Sequence, residues 1–375
     1  VLAVRTGGPR EKRPARPVVQ IDADNAVNLV WFRVRSDGRQ RSEQVLARAT
    51  IQDVAKRAGV SIKTVSRVAN KEPNVRDQTR EKVQRVIDQL DYRPNPSARS
   101  LAATKSYVIG LMYDNPSASY LINVQNGALH TSRAEGYDVV IYPCSYQDPR
   151  LVSSITSMIA SKTVDGLILT PPLSDMQPLL AELDRLSVNF VLIAPADHAN
   201  AYRSVFTNDQ AACAEMTRYL GSLGHRRIGF VVGHKDHKAV LNRYLGYRDG
   251  LRTLGLKFDR RLVRKGDNAF ESGSRCARGL LDLSDPPTAI FASNDDMAAG
   301  VMQVAHEMGL SIPGDLSVAG FDDVPLASYI WPSLTTIRQP IEEMAMRATA
   351  LLLSRLRGGD SDTIEHTIES ELIIR

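Results

Sequence analysis

The chain has 375 residues, of which 43% are hydrophobic, and this length allows two or three domains, one with a large core. No apolar run reaches the roughly 18 residues that a transmembrane helix needs, and no apolar secretory leader is visible at the start. Cys144, Cys213 and Cys276 are widely separated and odd in number, so we interpret them as reduced thiols of a cytoplasmic protein.

The net charge of +5 is unevenly distributed along the chain. Residues 1–49 carry a net charge of +5, residues 50–105 carry +6 and residues 106–375 carry −6. A basic front on an acidic body is typical of a nucleic-acid-binding head joined to a separate domain. The alternative is that the charge distribution serves only solubility. Charge alone does not distinguish this interpretation from a nucleic-acid-binding head.

The first 49 residues are rich in Arg and Pro and show no sustained periodicity beyond the run Val27–Phe32. We predict that residues 1–49 form a mostly disordered basic extension. An artefact of the chosen start site is favoured over a native arm.

Three short helices are predicted over residues 50–93. Thr50 and Asp53 have the spacing of a capping box, so a helix begins there and buries a face of apolar residues. Gly59 can adopt a positive φ and end that helix, and Ser61 is a good N-cap for the next. A third helix starts near Asp77. The predicted buried positions of the three helices are Ile51, Val54, Ala55 and Ala58, then Val65 and Val68, then Val83, Val86, Ile87 and Leu90.

From Tyr107 onward, apolar runs alternate with helical segments in two series. The first series has the runs "YVIGLMYD", "DVVIYPCS", "DGLILTPP" and "NFVLIAP", and the second has "RRIGFVVG", "AIFASND" and "LSVAGFDD". Continuous apolar strands between helices predict parallel sheets that are covered on both faces. Ligands of such folds bind at the carboxyl ends of the strands. These ends read Asp114–Asn115, Thr207–Asp209, Asn294–Asp295 and Asp322–Asp323, which predicts a polar cleft between two lobes.

Two helices joined by a glycine turn, with a third helix beneath them, predict a helix-turn-helix. Its second helix fits the major groove of DNA, which is about 12 Å wide. Ile62 and Lys63 lie near its N-terminus, where base edges are within reach. Arg67 is suited to reading guanine, and the short donors Thr64, Ser66 and Asn70 are suited to phosphates. An ordinary corner between two helices is the alternative for this stretch alone.

The residues that flank this stretch argue against an ordinary corner between two helices. The stretch "ATIQDVAKRAGVSIKTVSRVANKEPNVRDQTREKVQRVIDQLDYRPNPSARSLAATKS" resembles the head and hinge of the LacI/GalR family of bacterial repressors. The resemblance extends over about residues 48–375 and includes "YLGSLGHRRIGFVVG", "NRYLGYRDGL", "ASNDDMAAG" and "LSVAGFDDVPLASYIWPSLTTIRQP". It implies an α/β fold: an N-terminal helix-turn-helix head (residues 50–93), a hinge helix and linker (94–106), and a two-lobed periplasmic-binding-protein-like core of parallel sheets covered by helices (107–375).

The resemblance also implies which residues contact DNA. The base-reading pair of the family falls on Ile62 and Lys63, with Arg67 next. Ile62 departs from a polar reader and is suited to a thymine methyl group. Leu101 falls on the leucine that wedges into the minor groove, although a linker residue packed on the core is the alternative. The predicted DNA-contacting set also contains Thr50, Ser61, Asn95 and Ala98.

For the core, the resemblance implies a small-molecule effector between the lobes. Arg243 matches the arginine that clamps the ligand, Asp322 the opposing carboxylate, and Asn294 a polar contact. Asp114, Tyr120, Asp209 and Asn268 fall on further cleft positions, and Asn268 stands where the family often has an aromatic residue. Paired hydrogen-bonding groups of this kind suit polyhydroxylated ligands, so the effector is expected to be a sugar or sugar derivative.

Other readings of the core residues stay open. Asp295 is favoured as an N-cap over a ligand contact, and Asp209 is a candidate cap as well. His234 and His237 have the spacing of a metal pair but no further ligands, so a solvated loop is favoured.

Two other functions are considered, an enzyme and a transport sugar-binding protein. The sequence contains no nucleophile elbow or P-loop, and the attached head argues against transport alone. We expect no cofactor, no metal and no membrane association. The expected partners are double-stranded operator DNA, a small-molecule effector and a second copy of the chain in a homodimer. The sequence stops after "ESELIIR" without a heptad tail, which favours a dimer over a tetramer.

Overall fold

A computed structural model of the chain describes residues 49–69, 74–92, 105–196, 198–359 and 367–375. The chain divides into two compact units, one before and one after the boundary between residues 93 and 94. The predicted basic extension, apart from Ala49, and most of the predicted hinge lie outside the described residues. None of the helices in the described ranges combines the length and the apolarity needed to cross a bilayer.

The first unit contains three helices, α1 (Ile51–Ala58), α2 (Ile62–Ala69) and α3 (Asp77–Gln89). Their inward positions form one core with Tyr92, as the helical spacing predicts. Val54, Ala58, Val65 and Val83 are fully buried. A head of this size has a small core, so its turns contribute strongly to the orientation of α2.

Three local features fix the two ends of α1 and the start of α2. Thr50 and Asp53 form the predicted capping box, in which the Thr50 amide donates to the Asp53 carboxylate at 2.8 Å. Gly59 has φ +63° and ends α1, a conformation that side chains other than glycine rarely adopt. Ser61 Oγ then accepts a hydrogen bond from the Thr64 amide at 3.2 Å, as an N-cap side chain does.

The first lobe of the second unit is built on a parallel six-stranded sheet. Its strands are β1 (Val108–Tyr113), β2 (Asp138–Pro143), β3 (Gly166–Leu169), β4 (Asn189–Ile193), β5 (Ser204–Thr207) and β11 (Thr367–Ile368), in the order β11-β5-β4-β3-β1-β2. The covering helices are α4 (Ala118–Ala134), α5 (Leu151–Ala160), α6 (Gln177–Arg185) and α12 (Ile341–Leu356). Two separate clusters of buried residues lie between this sheet and its helices, which explains why the central strands β1, β3 and β4 are almost entirely apolar. The edge strand β2 is partly exposed.

The second lobe has a parallel four-stranded sheet in the order β7-β6-β8-β9. Its strands are β6 (Ile228–Val232), β7 (Val263–Lys265), β8 (Ala289–Ala292) and β9 (Ser317–Ala319), and its helices are α7 (Asp209–Ser222), α8 (Ala239–Thr253), α9 (Phe270–Leu281), α10 (Asp295–Glu307) and α11 (Pro325–Tyr329). An antiparallel pair, β10 (Thr336–Arg338) with β12 (Glu371–Ile373), lies beside this sheet.

The chain passes between the two lobes three times, at residues 207–209, 338–341 and 368–371. The seven strands predicted from apolar runs are present, and β12 falls in the predicted last strand. Strand β5 was implied only by the predicted strand end Thr207–Asp209. Strands β7, β10 and β11 were not predicted, because each has only two or three residues and lies in no longer apolar run of the sequence.

Candidate DNA-reading helix and interlobe cleft

The N-terminal end of α2 presents a solvent-exposed face. Ser61, Ile62 and Lys63 are exposed, and 48% of the Ile62 surface remains accessible although the residue is apolar. Thr64, Ser66 and Arg67 are half-buried, and Thr50 is exposed at the start of α1. The head core holds α2 through Val65 and Val68, so this face has a fixed orientation. Four residues of the predicted DNA-contacting set lie outside the described residues: Asn70, Asn95, Ala98 and Leu101.

The predicted cleft lies between the two lobes at the carboxyl ends of the strands. A small cavity of about 50 Å³ remains there, the space of a few water molecules. Five of the seven residues predicted for the effector site line it, namely Tyr120, Arg243, Asn268, Asn294 and Asp322. Asn294 and Asp322 were predicted from strand ends, whereas Tyr120, Arg243 and Asn268 were predicted from the family resemblance.

Arg243, on α8, is the central charge of the cleft. Its Nε lies 2.9 Å from Asp209 Oδ2 and its Nη1 donates to the Ser293 carbonyl at 2.6 Å. Nη1 also lies 3.5 Å from Asp322 Oδ1. The guanidinium stacks 3.7 Å from the centre of the Phe321 ring. Burial disfavours its charge, but the two carboxylates more than offset this and raise the pKa of Arg243.

Asp322 keeps hydrogen-bonding capacity free in the cleft. Its side chain is 8% exposed, and burial raises the pKa of its carboxyl to about 7 although Arg243 opposes this shift. Asp322 Oδ1 and Gln339 Oε1 are buried, and neither has a hydrogen-bond partner among the described residues. Buried polar atoms without partners are costly, so these two acceptors are suited to donors supplied by a ligand.

The backbone of the cleft is strained at three positions. Asp322 has φ +111°, Asn268 has φ +70° and Ala194 has φ +45°. Residues other than glycine rarely adopt such angles. Strained residues of this kind concentrate at ligand sites, where the surrounding structure maintains their conformation. Asn268 also accepts a hydrogen bond from the His234 amide through its Oδ1 at 3.1 Å. The asparagine at this position therefore fixes the loop that begins at Gly233.

Two predicted effector residues do not line the cavity. Asp209 lies behind it, where its carboxylate accepts hydrogen bonds from Arg243 and the Thr207 hydroxyl. Asp114 accepts a hydrogen bond from the Tyr146 amide at 2.8 Å, so one of its carboxylate oxygens is already bonded to the neighbouring loop. Asp209 therefore supports Arg243 from behind the cavity, whereas Asp114 holds the loop at Tyr146.

The predicted helix caps need correction. Asn294, not Asp295, is the N-cap of α10, and its Oδ1 accepts from the Met297 amide at 3.0 Å. Asp295 is fully buried and accepts hydrogen bonds from the Val324 amide and the Thr336 hydroxyl. Asp209 is the first residue of α7 and not its cap. Asn294 and Asp295 are adjacent, and both residue types are common N-caps. The sequence therefore does not show which of them is the N-cap and which is the first residue of the helix.

The sequence analysis missed several cleft residues, of which two carry buried polar groups that matter for the site. Gln339 follows the short strand β10, and His237 was interpreted as part of a solvated loop, but both are buried and line the cavity. Burial lowers the pKa of His237 to about 4, so it is neutral near pH 7 and offers one donor and one acceptor. No group of three or more potential metal ligands occurs in the described part of the chain.

One hydrogen bond joins the lobes at the edge of the cleft. The Tyr146 hydroxyl, from the first lobe, donates to Asp236 Oδ2 of the second lobe at 2.5 Å. The His234 ring lies edge-on to Tyr146, with ring centres 6.0 Å apart. The segment from Gly233 to Lys238 therefore contacts the opposite lobe on one side while His237 reaches the cavity.

Comparison with known proteins assigns both parts of the chain. Residues 50–95 match the model of bacterial regulatory proteins of the lacI family, and residues 217–375 match that of a periplasmic binding protein-like domain. The transcriptional repressor CytR of Escherichia coli strain K12 is 32% identical over 333 residues, covering 87% of this chain and 95% of that protein.

Solved structures agree with the sequence relatives. The complex of the transcriptional regulator CelR with cellobiose has a TM-score of 0.68 at 29% identity and covers 88% of this chain and 99% of that chain. The lac repressor dimer bound to operator and the anti-inducer ONPF has a TM-score of 0.70 at 27% identity, covering 87% and 98%. The chain therefore belongs to the LacI family of bacterial regulatory proteins.

Proposed function

We propose that this protein is a transcriptional repressor that binds an operator as a homodimer and changes its operator affinity when a small molecule binds between the core lobes. The proposal rests on the presence of two features in one chain. The start of α2 is exposed and follows the Gly59 turn, and the interlobe cleft contains buried acceptors that have no hydrogen-bond partner among the described residues. The relatives named above are regulators, which supports regulation over catalysis.

The exposed face of α2 supports direct reading of bases by Ile62 and Lys63. An apolar side chain that is 48% exposed at the N-terminal end of a reading helix is suited to the methyl group of thymine. Lys63, next to it, is suited to the acceptors of guanine. Thr50, Ser61, Thr64 and Ser66 carry short hydroxyl donors that fit phosphate oxygens. We retain Arg67, Asn70, Asn95, Ala98 and Leu101 as predicted contacts from the family resemblance.

The cleft supports a neutral, polyhydroxylated effector. Arg243 is already balanced by Asp209 and Asp322, so an additional strong charge would lack a counterion. Asp322 Oδ1 and Gln339 Oε1 have no hydrogen-bond donor among the described residues, and the hydroxyl groups of a ligand could supply one to each. CelR was solved with cellobiose. A sugar is larger than the remaining cavity, so the lobes are proposed to separate when it enters.

A homodimer is supported by one exposed aromatic segment. Tyr329 and Trp331 are 82% and 92% exposed and flank Ile330, which packs on the core of the second lobe. Large aromatic side chains that face solvent together mark interaction surfaces. The lac repressor was solved as a dimer on its operator, and two copies of this head would read two half-sites.

Selection of random DNA duplexes with the full chain tests the DNA-binding part. The expected consensus is a palindrome whose half-site centres lie about 34–36 Å apart along the helix. Lys63→Ala should relax the consensus at one position of each half-site, whereas the control Arg85→Ala, an exposed residue on α3, should retain the full consensus. Selection that enriches no common sequence would contradict the proposal.

A thermal-shift screen of sugars and nucleosides, followed by operator titration with each compound that binds, tests the effector part. A compound that stabilises the wild type should change operator affinity, and Asp322→Asn should lose its stabilising effect. A compound that stabilises the wild type but leaves operator affinity unchanged would argue against control through the cleft.

A further inference from the structure

A second cavity lies in the second lobe, on the far side of the segment Gly233–Lys238 from the cleft. The first turn of α8 and the edge strand β7 form its other walls. Its volume is about 850 Å³, within the range of sites that hold small organic molecules. The DNA-reading helix and the effector cleft do not use this cavity.

The lining of the second cavity is strongly basic. It contains five Lys or Arg residues and two histidines but no Asp or Glu: Lys235, Lys238, Arg260, Arg264, Lys265, His234 and His237. This concentration of positive charge stands out because residues 106–375 carry a net charge of −6. A surface that served only solubility would mix both signs here as it does elsewhere in the lobe.

Most of these positive charges have no carboxylate partner. Among the described residues, no ion pair involves Lys238, Arg260 or Lys265, and all three are exposed. Arg264 donates to the backbone carbonyls of Arg261, Val263 and Gly279 and therefore keeps its net charge. Only Lys235 has an acidic neighbour, Asp236, at 3.8 Å. Low-dielectric walls concentrate the field of such uncompensated charges and attract anions.

The rest of the lining is apolar. It consists of Val232, Val240, Leu241, Tyr244 and Val263. Leu241 is 55% exposed in this structure. The Tyr244 ring is held by Phe230, at 6.1 Å between ring centres, and by Phe258, at 6.4 Å. A ligand with both an anionic group and a planar or apolar body would cover this wall and meet the basic side chains at the same time.

We propose that the second cavity binds a phosphorylated metabolite with a planar or apolar body. Arg260 and Lys265 are exposed and make no ion pair among the described residues, so their donors fit the oxygens of a phosphate, which carries more charge than a single carboxylate. Arg264 adds its net charge to the same wall, although its donors already bind backbone carbonyls. Val240 and His237 line both cavities, but the effector cleft adds the carboxylate of Asp322, whereas the second cavity has none. The two cavities therefore select ligands of different charge.

Isothermal titration of the full chain without DNA tests this site, with adenosine 5′-monophosphate as the probe. The nucleotide should bind saturably at a single site per chain, with an affinity that falls as salt is added. Adenosine and inorganic phosphate should each bind at least about tenfold more weakly, because each meets only one part of the lining. Equal binding of the nucleotide and adenosine, or of the nucleotide and phosphate, would overturn the proposal.

Two matched double variants locate the binding. Arg260→Gln with Lys265→Gln removes two cavity charges and should weaken nucleotide binding at least about tenfold. Arg218→Gln with Lys257→Gln removes two exposed charges from the same lobe outside the cavity and should leave binding unchanged. Asp322→Asn separates the two sites, because nucleotide binding should persist in it. No nucleotide binding to the wild type, equal losses in the two double variants, or loss in Asp322→Asn would each refute the assignment.

Discussion

Replacing Arg243 with methionine should destabilise the core by about 3–5 kcal/mol, the usual cost of removing one partner from a buried ion pair. Methionine keeps much of the length and the apolar stem of the arginine, so the change mainly removes charge. The variant therefore tests whether the central cation of the cleft is also a structural requirement.

The magnitude follows from what Arg243 leaves behind. Asp209 and Asp322 are 4% and 8% exposed, so neither carboxylate regains full hydration when the guanidinium is removed. The Ser293 carbonyl also loses its donor at 2.6 Å, and a hydrogen bond to a charged group is worth about 1.5–3 kcal/mol. Part of the cost is avoided if Asp322 takes up a proton, which its raised pKa favours.

Urea unfolding followed by far-ultraviolet circular dichroism measures the effect. The destabilisation should be larger at pH 8 than at pH 6, because Asp322, whose pKa burial raises to about 7, is ionised to a greater extent at the higher pH. Adding Asp209→Asn to the variant should restore part of the stability, because it removes one of the stranded charges. A loss below about 1 kcal/mol at pH 8 would refute the reasoning, since solvent-exposed ion pairs cost no more than that.

Three further predictions follow from the same structure. Asp322→Asn should flatten the pH dependence of unfolding: the raised pKa of Asp322 stabilises the wild type most below about pH 4, and this contribution, up to about 4 kcal/mol, is lost as pH rises through about 7. Unchanged pH profiles would contradict it. Lys63→Ala should cost about 1–3 kcal/mol of operator binding and relax preference at one base position, measured by fluorescence anisotropy on operator variants; a uniform loss on all sequences would assign Lys63 to phosphate. Trp331→Glu should shift the protein to monomer in light scattering, and a stable dimer in this variant would exclude the aromatic segment from the interface.

The head was largely predictable because its signals are local. These signals are a capping box at Thr50, a glycine at the position with a positive φ, and the apolar spacing of three helices. Each acts within a few residues, and the structure contains all of them. The cleft was predictable where apolar runs of the sequence end in polar residues, as "AIFASND" does at Asn294 and "LSVAGFDD" does at Asp322. Their position at the carboxyl ends of parallel strands follows from the fold class.

The remaining cleft residues depend on tertiary packing that a sequence does not display. Gln339 follows a strand of three residues, too short to produce a periodic pattern. His237 lies in a polar segment with lysines on either side, and only the packing of that segment against the cleft buries its ring. Asp209 and Asp114 are correctly placed at strand ends, but their oxygens are taken up by neighbours that the sequence does not identify.

The three connections between the lobes converge where the ligand is proposed to bind. Asn208 in the first connection accepts a hydrogen bond from the Ser370 amide in the third at 2.8 Å, and Gln339 lies within the second. A molecule that contacts Gln339 therefore touches the pivot itself, where a small displacement of the backbone becomes a much larger displacement at the distant ends of both lobes. If the lobes separate as proposed, the contacts of a molecule at Gln339 change with them, and the resulting difference in affinity between the two lobe arrangements is what shifts the equilibrium.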